Sequence, residues 1–311
     1  MKYESLRSAY GEKLVELGKK DKRVVALEAD LGKSTQSIMF ANEIPERYFQ
    51  MGIAEQNMAS TAAGLALTGK IPFISTFAVF ASGRAYDQIR SSIAIPNLTV
   101  LICGSSAGLS DFGDGKTHQS IDDIGIMRVL PNMTVLSPAD SVETKSMMEA
   151  VLAHKGPVYL RINRSDLPVL TDPAKPYRIG QMTRLREGKD VVIFASGVMV
   201  LKSLEAAENL EKGGISARVV NLSTVKPLDL KELEAQCTGV KAVVTAEEHN
   251  VFCGIGSAVA EALCASRLPI GMVGIKDSYG TSAKNYDELL EHYGLTASAI
   301  EKKAKEILEK L

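Results

Sequence analysis

Short apolar runs recur along the first 170 positions: Val24-Val25-Ala26-Leu27, Ile71-Pro72-Phe73-Ile74, Leu98-Thr99-Val100-Leu101-Ile102, Met133-Thr134-Val135-Leu136 and Val158-Tyr159-Leu160-Arg161-Ile162. Runs this short that are apolar without alternating predict strands buried on both faces, as in a parallel sheet. Between them Leu6, Tyr10, Leu14 and Leu17 fall at helical spacing, as do Val142, Met147, Ala150 and Val151. The crossovers are therefore predicted to be amphipathic helices, and residues 1–170 an α/β domain around a central parallel sheet. Residues 171–187 begin Thr171-Asp172-Pro173-Ala174-Lys175-Pro176-Tyr177-Arg178-Ile179-Gly180, where two prolines and a glycine break both periods. This stretch is predicted to be an interdomain linker. The alternation restarts with Val191–Ala195, a helix over 199–212, Ala217–Leu222 and Ala242–Thr245, giving a second, smaller α/β domain over 188–311. From Ala297 to Leu311, Ile300, Ala304, Ile307 and Leu308 share one face of a Lys/Glu-rich helix that is expected to dock on the surface.

Composition narrows the class. A chain of 311 residues is long enough for two cores, and 45% hydrophobic with 23% charged residues excludes a disordered chain. Lys plus Arg number 36 against 37 Asp plus Glu, so there is no electrostatic footprint for nucleic acid or an anionic membrane. Cys103, Cys237, Cys253 and Cys264 form no C-x-x-C pair and read as buried thiols; with four histidines in all, no zinc-ligand pattern emerges. The charged N-terminus and the lack of a membrane-length apolar run lead to an expected cytoplasmic location.

Three segments carry chemistry. In Gly52–Gly69, Glu55 opens a helix of otherwise small or apolar residues. On its own such an acid reads as a charge favoured by the helix dipole. Alternatively, Ala59, Ala62, Ala63 and Gly64 let another helix approach and bring the carboxylate into a desolvated interface. In Ser75–Arg90, Phe77 and Phe80 lie three apart just after a strand. That spacing suits a core, but the carboxyl end of a sheet strand is also where α/β folds bind ligands, and a flat heterocycle stacks on such rings. In Gly104–Gln119, a long glycine-rich loop carries Asp114 and His118, either as a solvent-exposed turn or as a site.

Together, in this order and followed by Pro131-Asn132-Met133 and Leu160-Arg161-Ile162-Asn163-Arg164, these segments resemble the C-terminal half of transketolase. Ala85-Tyr86-Asp87-Gln88-Ile89-Arg90 and Thr117-His118-Gln119 carry the likeness most strongly. The resemblance implies a thiamine-diphosphate-type pyrimidine-binding domain followed by a transketolase C-terminal domain, as in the C-terminal subunit of a split, two-subunit transketolase. It implies transfer of a two-carbon ketol unit from a ketose phosphate to an aldose phosphate, within pentose phosphate metabolism. Thiamine diphosphate is the implied cofactor, its activated carbon attacking the ketose carbonyl. Glu55 matches the family acid that hydrogen-bonds the aminopyrimidine ring, with a catalytic role shared by His118. Phe77 and Phe80 match the aromatic pocket around that ring, and Asp30 matches an aspartate near the cofactor. Arg7, Ser34 and Arg164 match groups that bind the substrate phosphate, for which guanidinium forks are suited. Asp114 and His118 match residues that recognise sugar hydroxyls. One departure stands out: Ser106 occupies the place of a family histidine, and Leu109-Ser110-Asp111-Phe112-Gly113 replaces a valine-glycine-glutamate stretch.

Gly113-Asp114-Gly115 begins like the family's metal motif, but Asn132 lies too near and Asn163 too far to complete it. No metal ligand is expected here; Mg²⁺ or Ca²⁺ is expected on a partner, an N-terminal transketolase subunit. Two such pairs, joined through the pyrimidine domains, would form a symmetric α2β2 heterotetramer. Gly254-Ile255-Gly256, with Glu247 before it, fails the dinucleotide fingerprint at Val259 and reads as the start of a helix. Rival readings are a subunit like 1-deoxy-xylulose-5-phosphate synthase or the β subunit of a 2-oxoacid dehydrogenase, or a non-catalytic scaffold of this fold.

Overall fold

A computed structural model describes all residues from Met1 to Leu311. The larger sheet has seven strands in the order Thr224–Lys226, Thr134–Leu136, Val158–Arg161, Leu101–Ser105, Ile71–Phe77, Val24–Glu28, Tyr48–Gln50. All neighbours are parallel except Thr224–Lys226, which runs antiparallel along one edge. That edge strand comes from beyond the proline-rich stretch, so the second half of the chain completes the first half's sheet. The smaller sheet runs Ile270–Ile275, Ala242–Asn250, Val191–Ala195, Ala217–Asn221, Thr183–Arg186, with only the last strand antiparallel. The architecture is thus two α/β units with central, mainly parallel sheets.

The central strands are buried along their whole length because helices cover both faces. Leu6–Lys20 buries Leu6, Tyr10, Leu14 and Leu17, the residues whose spacing predicted it, and Ser5 caps its start by accepting from the Ser8 N–H. One buried apolar cluster contains Leu14 and Phe73 together with Val191 and Ile300, and a second contains Ile102 and Tyr159 with Phe194 and Val220. Each core therefore runs through both units and fixes one against the other.

Four local differences from the sequence expectations stand out. The strand expected at Leu98 starts at Leu101 and continues to Ser105, because its ladder with Ile71–Phe77 opens at the Phe73–Leu101 pair. Thr183–Arg186, within the predicted linker, pairs with Ala217–Asn221 as an edge strand. The C-terminal helix Ala297–Leu308 is core rather than a surface attachment: Ile300 and Ala304 are fully buried, and Gly271 leaves the space that Ile307 fills. Cys103 and Cys237 are buried, but Cys253 and Cys264 are exposed.

Candidate active site

Four adjacent parallel strands end at Glu28, Phe77, Ser105 and Arg161. In an open α/β sheet the segments leaving these carboxyl ends form the ligand crevice. The candidate residues leave from this edge or are brought to it by neighbouring elements.

Glu55 is the first residue of the helix Glu55–Leu67 and is 1% exposed. Arg84 Nη1 lies 3.0 and 3.1 Å from its two carboxylate oxygens, which compensates a charge that would otherwise be costly to bury. The Arg84 guanidinium also lies over the Phe80 ring, 4.4 Å from its centroid. Phe77 and Phe80 are nearly parallel, with centroids 6.0 Å apart and planes at 14°. His118 meets the Phe80 ring edge-on at 5.5 Å and 77°, and Phe77 at 6.2 Å. The chain leaving Phe77 turns into wide, π-helical turns over Phe80–Arg84, a local irregularity common at functional sites. Glu55, Phe77, Phe80 and His118 thus form one group, with Arg84 linking the acid to the aromatics.

A second group is built by a short antiparallel ribbon in which Tyr3–Ser5 pairs with Asp166–Pro168, Ser5 opposite Asp166. Arg7 follows this ribbon by two residues and Arg164 precedes it by two, so the register brings the guanidiniums near each other. Burial, and then the like charge of Arg164, lower the pKa of Arg7 from its ordinary value. Arg7 Nη1 donates to the Ser34 carbonyl at 2.9 Å, while its buried Nε has no partner. Arg164 Nη1 pairs with buried Asp111 at 2.7 Å. Burial raises the Asp111 pKa, and Arg164 opposes that rise. Two cationic forks with a free buried donor fit a terminal tetrahedral anion on a substrate.

Asp114 is exposed on the same loop, and His118 Nδ1 lies 3.0 Å from Thr117 Oγ1. Asp30 is exposed in a left-handed conformation, φ 60°, and accepts from Gln50 Nε2 at 3.3 Å. It shares with Ser34, Glu28 and Tyr48 the lining of a cavity of about 460 Å³. The structure therefore places Asp30 with Ser34, and links it by no hydrogen bond to Glu55. Ser106 is fully buried at φ 52°, its hydroxyl without a partner.

Sequence reasoning missed Arg84 and Asp111. Arg84 belongs to Arg84-Ala85-Tyr86-Asp87, within a segment already singled out, but only the fold shows it reaching back to Glu55. Asp111 lies in the departing stretch Leu109–Gly113, and its role appears only once Arg164 folds against it. No group of three or more His, Cys, Asp or Glu side chains converges as a metal site, and no helix is long and apolar enough to cross a membrane.

A mainly parallel sheet with a buried acid, paired aromatics and a cationic pair gathered along its carboxyl edge defines a ligand-binding α/β domain. Residues 3–169 match the transketolase pyrimidine-binding domain and residues 180–300 the transketolase C-terminal domain. The chain belongs to the transketolase family and has the make-up of the C-terminal subunit of a split transketolase. A Methanocaldococcus jannaschii protein named for the C-terminal section of a transketolase is 44% identical over 312 residues, covering 99% of this chain and 98% of that protein. A 6-deoxy-6-sulfo-D-fructose transketolase subunit from a Clostridium species is 42% identical over 306 residues, covering 98% and 95%. Among solved structures, one described as a split-gene transketolase in an inactive β4 tetramer superposes with a TM-score of 0.89 at 47% identity, covering 98% of both chains. The matched pyrimidine domain implies thiamine diphosphate as the cofactor.

Proposed function

We propose that this chain supplies the pyrimidine half of a thiamine diphosphate site and the sugar-binding loop of a ketol-transferring enzyme, completed by an N-terminal transketolase subunit. The observation that carries this reading is the joint placement, on one sheet edge, of a buried acid beside stacked aromatics and of two arginines with an unpaired donor. Bound thiamine diphosphate supplies the nucleophilic carbon that accepts the two-carbon unit. Phe77 and Phe80 offer its pyrimidine ring an apolar, stacking surface. Glu55, beside these rings, would hydrogen-bond the pyrimidine nitrogen and favour the ring's reactive tautomer. Asp30 lies on the neighbouring rim.

His118 and Asp114 bind substrate hydroxyls, His118 also orienting the carbonyl, while Arg7, Arg164 and the Ser34 turn bind the anionic end of the sugar. That end is a phosphate in the simplest case. The Clostridium relative, named for a sulfo-sugar, supports a wider class of tetrahedral anions at the same forks. Ser106 leaves this pocket without the family histidine and so bears on which sugars are accepted. The diphosphate and its Mg²⁺ or Ca²⁺ are assigned to the partner subunit, and two pairs to an α2β2 assembly.

The test is reconstitution. The chain is mixed with an N-terminal transketolase subunit, thiamine diphosphate and Mg²⁺, and two-carbon transfer from xylulose 5-phosphate to ribose 5-phosphate is followed. Turnover that requires both subunits supports the reading. A folded, assembled mixture that releases CO₂ from pyruvate and transfers no ketol unit points to the synthase-like rival instead.

A further inference from the structure

The loop bearing Asp114 and His118 is gripped from the second domain along its length. Near its start, Leu109 donates its N–H to Glu248 Oε1 at 2.8 Å. Midway, the Ala283 N–H donates to the Phe112 carbonyl at 3.0 Å. At its end, Gln119 Nε2 donates to the Thr281 carbonyl at 2.9 Å and to the Asp111 carbonyl at 3.2 Å. Glycines permit the approach: a Cβ on Gly108 would overlap the Glu248 carboxylate, and one on Gly115 the Ser282 hydroxyl.

Glu248 itself is 3% exposed, and its surroundings account for each of its oxygens. Tyr286 Oη donates to Oε1 at 2.7 Å, and Asn163 Nδ2 donates to Tyr286 Oη at 2.8 Å and to Glu248 Oε2 at 3.3 Å. Arg161 Nη1 lies 3.9 Å from Oε2, and Arg161 Nη2 donates to the Glu248 carbonyl at 2.8 Å. Arg161 is anchored in turn on buried Asp123 at 3.0 Å. A buried carboxylate held this fully keeps one geometry, and whatever it binds shares that geometry. Here it binds the backbone of the sugar loop.

We propose that the second domain sets the sugar-binding geometry of this chain, with Glu248 and Tyr286 as a positioning pair. They act through the backbone of residues 109–119 on Asp114 and His118, and through Asp111 on Arg164. Neither residue hydrogen-bonds Glu55 or Arg84, so they reach the aromatic group only through His118, whose ring meets Phe77 and Phe80 edge-on. The sugar-binding part of this inference rests on the function proposed above; the loop-holding part does not.

Two variants, Glu248→Gln and the milder Tyr286→Phe, separate positioning from general stabilisation. In the full chain alone, amide exchange over residues 107–119 should quicken about tenfold, the effect of one lost hydrogen bond to a charged group, while residues 55–67 keep their protection. In the reconstituted pair, KM for xylulose 5-phosphate should rise about tenfold and by more than kcat falls, while thiamine diphosphate affinity stays within about twofold. Unchanged loop exchange in folded variants, or a fall in kcat with KM unmoved, overturns the proposal. If the wild-type pair shows no ketol transfer, the functional reading fails by itself, and loop exchange still decides whether Glu248 and Tyr286 hold the loop.

Discussion

The two ends of the candidate site are built in different ways. Glu55, Phe77, Phe80 and Arg84 come from the first domain alone, on the first turn of one helix and the turns following one strand. The loop with Asp114 and His118 also leaves a first-domain strand, but Glu248, Thr281 and Ala283 of the second domain hold it in place. The side chains of the aromatic end and their direct contacts thus come from one domain, whereas the sugar end is held by hydrogen bonds from two. In the proposed enzyme, cofactor contacts and substrate preference are then separable, and the loop can diverge, as at Ser106, while the aromatic group stays intact.

The sharpest way to break this division is at Glu55. Glu55→Gln should lower kcat of the reconstituted pair on the order of a thousandfold with the fold intact, because the amide keeps the shape and can still hydrogen-bond but cannot exchange a proton with the ring. Wild-type turnover would remove Glu55 from the mechanism.

Next in size is the joint between the domains. Glu143, from the helix Ser141–Val151, is buried against Asn221 and Ser223 of the second domain, with Nδ2 of Asn221 at 3.0 Å and Oγ of Ser223 at 2.6 Å. Burial pushes its pKa from the ordinary 4.5 up to about 7, against the pull of these donors. Between those values the folded chain holds a proton that the unfolded chain has lost. Stability is thus fully present below the lower value and falls as pH rises through the upper one, by about 3 kcal/mol. Urea unfolding between pH 5 and 8 should show a steeper fall of stability in the wild type than in Glu143→Gln. Buried Glu247 and Glu248 contribute equally to both proteins and cancel in the comparison.

Arg164→Ala should raise KM for a sugar phosphate about thirtyfold, the cost of one charge-assisted contact, and have little effect on an uncharged sugar. Equal effects on both sugars would detach Arg164 from the anion site. Smallest is Phe80→Ala, expected to weaken thiamine diphosphate about fivefold through lost stacking, with a smaller rise in sugar KM because His118 loses the ring it meets edge-on. A larger change in KM than in cofactor affinity would erase the distinction between the two ends.

The aromatic end was legible in the sequence because its parts are local. Phe77 ends a run of apolar residues, Phe80 follows by three, and Glu55 heads its own helix. Arg7 and Arg164 lie 157 positions apart and became a pair only through the resemblance; the ribbon register of Ser5 with Asp166 supplies the physical reason. Glu247-Glu248-His249, with Gly254–Gly256, read as helix-entry and packing features, and Glu247 fits that reading: its carboxylate accepts the N–H groups of Ile255 and Gly256. The reach of Glu248 to the loop was not legible, since side chains on a strand alternate and its partner Leu109 is 139 residues away. Burial of the C-terminal helix was missed for a similar reason: its Lys/Glu-rich outer face suggested surface, while Gly271, on a strand absent from the sequence reading, makes room for its inner face.

The most direct test is a calorimetric titration of thiamine diphosphate, with Mg²⁺, into this chain assembled with an N-terminal transketolase subunit. Saturable binding that needs both subunits, and is lost when Phe77 and Phe80 are both changed to alanine, is expected. A well-folded, assembled pair that binds no thiamine diphosphate would contradict it and leave the fold as a scaffold.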